Sequence, residues 1–134
     1  MELNYNNYFT ILDMRRRGYN LESDGVLDIS HFDMPSQAQD DFMDNTLRII
    51  YNLFVEYRGR EWADDFFEDM AHDEEELEGR ALDFKQRLHR ALIEQAIFIY
   101  DHGDSQATAS YEDRQYRSPY APKAMAELWD ILNF

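Results

Sequence analysis

Apolar residues recur along this chain at the spacing of helices, and only one short segment suggests a strand. Five segments carry the helical pattern. The first runs from about Tyr5 to Arg17: Tyr8, Phe9 and Leu12 share a face, Ile11 lies beside it, Asn4 is placed to cap it and Gly18 to stop it. The second starts at Ser36 and turns Phe42, Leu47, Ile50, Leu53, Phe54 and Tyr57 inward before Gly59 ends it. The third, from about Glu61 to His72, sets Trp62, Phe66 and Met70 at i, i+4 and i+8, with Ala63 and Phe67 alongside.

The fourth extends from about Glu74 to Tyr100, with Leu77, Ala81, Phe84, Leu88, Ala91, Leu92, Gln95 and Phe98 on its face. Its last stretch, "ALIEQAIFIY", is apolar nearly all round and should be the most buried element, ended by His102-Gly103. The fifth begins near Pro122, a favoured first helical residue, and is packed down by Met125, Leu128, Trp129 and Leu132. Residues 19–35 read as a loop with one short strand near 26–29, and "DSQATASYEDRQYRSPYA" reads as a second loop. There is no internal repeat and no linker. The expectation is a single all-α domain over residues 1–134, a compact bundle of four to five helices.

Composition supports a packed fold. The chain has 134 residues, of which 44% are hydrophobic and 15% aromatic, too many for a disordered chain despite a net charge of −15. It has no cysteine, so neither disulfides nor a thiolate metal site arise. The opening "MELNYNNYFTILDM" lacks the basic-then-apolar layout of a signal peptide, and the longest apolar run, Ala96 to Tyr100, is far short of a membrane span. A cytoplasmic protein is expected. The sign of the charge disfavours direct binding to nucleic acid or to an anionic membrane, and favours a basic partner.

That charge is concentrated. Residues 61–78, "EWADDFFEDMAHDEEELE", carry ten acids and no Lys or Arg, against 10 acids and 6 bases in residues 1–60 and 8 and 7 in residues 79–134. Part of the run suits ordinary helix chemistry. Asp73 and Glu76 have the spacing of a capping box, so Asp73, Glu74, Glu75 and Glu76 are expected to start the fourth helix, as Glu61 and Asp64 start the third.

Asp65, Glu68 and Asp69 lie beyond that first turn. Helical spacing makes five like-charge neighbours of Glu61–Asp64, Glu61–Asp65, Asp64–Glu68, Asp65–Glu68 and Asp65–Asp69, costing about 1–2.5 kcal/mol together. A standing cost on an otherwise well-patterned helix suggests that the charge is used. If wholly helical, the run would be roughly 27 Å long and carry one charge per about 2.7 Å, between the densities of single-stranded and duplex DNA.

In these respects (small, Cys-free, strongly acidic, helical and aromatic-rich) the chain resembles the phage-type DNA-mimic inhibitors, the anti-CRISPR and anti-restriction proteins. The resemblance is one of character, covering composition and this one segment. It implies an inhibitor, working in the host-cell cytosol, that blocks a basic nucleic-acid-binding protein such as a Cas effector or a restriction enzyme. The expected contacts are the acids already named, Glu61, Asp64, Asp65, Glu68, Asp69, Asp73, Glu74, Glu75 and Glu76, together with Glu78. Two alternatives share the chemistry in part: an immunity protein neutralising a nuclease toxin, and a non-enzymatic structural or assembly protein.

Other features are secondary. "YEDRQYRSPY" is rich in the residues that anchor interfaces, so Tyr111, Tyr116 and Tyr120 either bind a partner or cover the bundle. Arg15, Arg16 and Arg17 fan around a helix end, where they suit the helix dipole or pairing with the acidic helix better than phosphate. Asp69 and His72 have metal-ligand spacing, but the position matching near His89 is Gln86, so no metal or other cofactor is expected. No nucleophile–base set or phosphate loop is legible, and no enzymatic activity is expected. Trp129 and Phe134 belong either to the core or to a homodimer interface.

Overall fold

A computed structural model describes residues 2–19, 36–108 and 119–134. The described residues form five α-helices: α1 (Ile11–Arg16), α2 (Ser36–Arg58), α3 (Arg60–Met70), α4 (Gly79–Thr108) and α5 (Pro122–Leu132). Among the described residues there are also two 3₁₀ turns, Tyr5–Asn7 and Glu74–Glu76, and no strand. The architecture is the all-α bundle that the periodicity predicts. The strand expected near 26–29 lies outside the described residues.

Helix α4 packs on α5 and α2, and α2 packs on α3. The stretch from Ala91 to Tyr100 is the most enclosed part of α4, with Ala91, Leu92, Gln95 and Ala96 fully buried. Gln95 is a polar residue on that face with both ends of its amide used. Its Nε2 donates to Pro119 O at 3.0 Å, and its Oε1 accepts from Ala121 N–H at 2.8 Å. That pair fixes the entry to α5, whose Pro122 occupies the first turn.

Three helix boundaries differ from the periodicity, each for a local reason. The first segment divides: Asn4 caps the 3₁₀ turn, then Thr10 adopts an extended backbone and caps α1 in a full capping box with Asp13. The fourth divides as well. Glu74–Glu76 form a separate 3₁₀ turn, Leu77 is extended, and Gly79 sits at φ 57°, so a right-handed helix cannot run through from Asp73. At its other end α4 continues to Thr108, past the expected stop at His102-Gly103. The turn between α2 and α3 is as expected, Gly59 holding a φ of 88° that side chains resist.

Helix α3, which carries five of the ten acids of residues 61–78, is held at both ends. Phe54 of α2 packs against both Trp62 and Phe66, with ring centroids 6.0 and 4.8 Å away, these two stack on each other at 5.3 Å, and Phe67 meets Tyr8 and Tyr51 edge-on. Tyr8 also donates its hydroxyl to Phe67 O at 2.7 Å. Lys85 of α4 reaches the C-terminal end of α3, where its ammonium donates to Met70 O (2.5 Å), His72 O (2.8 Å) and Asn7 O (2.8 Å). Three carbonyls at one buried ammonium join α3, α4 and the N-terminal turn, and the cation lies at the negative end of the α3 dipole.

Candidate functional site

The local pattern of α3 produces a two-sided helix. Ala63, Phe66, Phe67 and Met70 are buried. At about 100° per residue they centre on one line of the helix, and Glu61, Asp64, Asp65, Glu68 and Asp69 spread over an arc of about 140° centred opposite to it. Four of these five acids are exposed; Asp64 is half-buried. Its carboxylate accepts a hydrogen bond from the Tyr51 hydroxyl, a bond that, ahead of burial, raises the Tyr51 pKa above its ordinary value. Asp64 therefore has a structural partner within the fold.

Asp65, Glu68 and Asp69 differ. Among the described residues no Lys or Arg forms an ion pair with any of them, and Arg58, just before the helix, is engaged elsewhere: its guanidinium lies over the Trp62 ring at 4.3 Å and donates to Leu132 O. Arg17 pairs with Glu94 of α4 at 2.9 Å and not with the acidic helix.

Beyond α3 the acids continue on the 3₁₀ turn. Asp73, Glu74, Glu75, Glu76 and Glu78 are all exposed. The expected capping box is absent: Asp73 makes no side-chain cap hydrogen bond, because the turn it opens ends at Leu77 and α4 starts afresh at Gly79. Glu76 instead faces His72, with Oε2 and Nδ1 3.0 Å apart. Asp73 and Glu74 act on Lys85 from outside; burial pushes its pKa down and these two carboxylates work against that.

The acidic face is therefore bent, not a single 27 Å rod. On α3 alone, five acids lie along 11 residues, about 16 Å of helix at ~1.5 Å per residue, or one per about 3.3 Å. Single-stranded DNA presents one charge per ~3.4 Å.

Beside this arc lies a groove of about 400 Å³ between α3 and α4, not recognised from periodicity. Trp62, Phe66, Phe84 and Phe134 line it, with Asp65, Asp69 and Arg80 around them. Phe134 is 62% exposed; its ring meets Phe84 edge-on at 5.5 Å and carries the Arg80 guanidinium at 4.2 Å. Trp129, expected to help pack α5, is instead 56% exposed, since it stands about 100° round the helix from buried Leu128. Tyr57 is likewise exposed.

Of the three loop tyrosines, Tyr111 and Tyr116 lie outside the described residues. Tyr120 is half-buried against the core, with its hydroxyl 3.4 Å from Glu56. Among the described residues no three His, Asp or Glu side chains gather closely enough to hold a metal ion, and no helix is long and apolar enough to cross a membrane. Fold and face together define an all-α bundle with an acidic helix face. No family model matches the chain, and no curated protein or solved structure matches it.

Proposed function

We propose that this protein is a non-enzymatic inhibitor that occupies the basic cleft of a cytoplasmic nucleic-acid-binding protein, such as a Cas effector or a restriction enzyme. The acidic outer face of α3 and the adjoining 3₁₀ turn are the contact surface. The observation that carries this reading is the position of Asp65, Glu68 and Asp69: exposed, close together, without a Lys or Arg partner among the described residues, and backed by buried aromatics. Fixed charges at strand-like spacing would displace nucleic acid without paying the cost of ordering a flexible acidic tail. Asp64 contributes through the field of the face more than by direct contact, because Tyr51 holds it.

The test is capture from a bacterial lysate at about 50 and 200 mM salt, comparing the wild-type chain with the triple variant Asp65→Lys, Glu68→Lys, Asp69→Lys. A basic nucleic-acid-binding protein retained at low salt, released at high salt and lost with the variant is the expected result. Recovery of a basic nuclease toxin would instead identify an immunity protein. Binding indifferent to both salt and charge reversal would point to a structural or assembly role and end the inhibitor reading.

A further inference from the structure

The groove beside the acidic arc has a composition that a purely electrostatic surface would not need. Asp65 and Asp69 are one helical turn apart, so their side chains project as neighbours about 6 Å apart along one rim. Behind them are the aromatic rings of Trp62, Phe66, Phe84 and Phe134. Carboxylates set next to aromatic faces suit a guanidinium, which is planar and weakly hydrated, can stack on a ring and can fork to a carboxylate in the same pose. A lysine ammonium is a compact, strongly hydrated point charge and gains less from the rings. The chain already makes this contact with its own residues: Arg58 stacks on Trp62 at 4.3 Å and Arg80 on Phe134 at 4.2 Å.

Resting on the reading of the acidic face as a partner surface, we propose that this groove receives an arginine side chain of the basic partner, its guanidinium between the aromatic rings and the Asp65 and Asp69 carboxylates. The groove's volume of about 400 Å³ accommodates a long side chain and part of the segment bearing it. Recognition then has two components. The acidic arc attracts any basic surface, and the groove selects arginine over lysine.

Hexa-arginine and hexa-lysine peptides of equal charge separate the two. In a Trp129→Phe background Trp62 is the only tryptophan, and its emission reports directly on the groove. At about 50 mM salt, hexa-arginine should shift Trp62 emission and bind about five-fold more tightly than hexa-lysine, the size of one cation–π contact. Phe134→Ala, at an exposed position where folding is not at stake, should bring that preference below about two-fold without weakening hexa-lysine. Equal affinity for both peptides, or Trp62 emission unmoved by hexa-arginine, overturns the arginine groove; salt-sensitive binding of both peptides would then still support the acidic face. Failure of both peptides to bind at low salt removes both.

Discussion

Lys85 offers the sharpest check on how the acidic helix is held. Its ammonium is buried and donates to three carbonyls, Asn7 O, Met70 O and His72 O, and stands 5.7 Å from the centre of the Tyr8 ring. Lys85→Met keeps the aliphatic stem and removes the donor. Three hydrogen bonds from a charged group, at about 1.5–3 kcal/mol each, set an upper limit near 9 kcal/mol. The cost of burying the ammonium, which already lowers its pKa, offsets part of this. A net loss of about 3–5 kcal/mol is expected, the usual range for removing one partner of a buried charged site. With a denaturant slope of about 2 kcal/mol per M, the urea midpoint by far-UV circular dichroism should fall by about 1.5–2.5 M. Lys123→Met, on the exposed side of α5, should change it by no more than about 0.3 M. A loss below about 1 kcal/mol at Lys85 would refute the view that it clamps the end of α3.

Three further outcomes probe separate parts of the structure. Gly59→Ala meets nothing within 4 Å, so its cost should be backbone strain alone, about 1–3 kcal/mol by urea unfolding; a neutral result would mean that the α2–α3 turn does not hold its positive φ. Thr10→Ala should cost about 1 kcal/mol by removing a real cap, while Asp73→Asn, with no cap bond to lose, should stay within about 0.5 kcal/mol. Burial pushes the Tyr8 hydroxyl up to about 12, and burial with the Asp40 hydrogen bond does the same for Tyr5. Each folded value lies above the unfolded phenol value of about 10, so this stability is full below pH 10 and is lost as pH rises from about 10 to 12. Tyr8 alone accounts for roughly 2 kcal/mol of that loss by about pH 11.5, and urea midpoints unchanged between about pH 9 and 11.5 would contradict its burial.

The helices were legible because burial imposes a 3.6-residue period, and the strongest stripes, on α2, α3 and α4, are the ones that pack. What periodicity did not convey was where the backbone breaks. The Thr10-Ile11-Leu12-Asp13 capping box and the left-handed Gly79 interrupt segments whose apolar spacing continues across them. The second break matters for the site, since it removes helix capping as the reason for Asp73 to Glu76 and leaves those acids exposed on a turn of their own. Lys85 does carry a signal in the sequence: a lysine between Ala81 and Leu88, on the inward face of α4. The Asp64–Tyr51 bond and the aromatic groove join residues distant in sequence, so nothing in the local spacing announced them.

The central claim is that the outer face of α3 stands in for nucleic acid, and competition tests it most directly. A fluorescently labelled duplex bound to the partner recovered from lysate is titrated with the wild-type chain and with the Asp65→Lys, Glu68→Lys, Asp69→Lys variant, following anisotropy. Displacement of the duplex by the wild-type chain, weakening as salt rises and lost in a variant that remains folded, is the predicted result. A ternary complex in which partner, duplex and protein coexist, or full displacement by the variant, would contradict it.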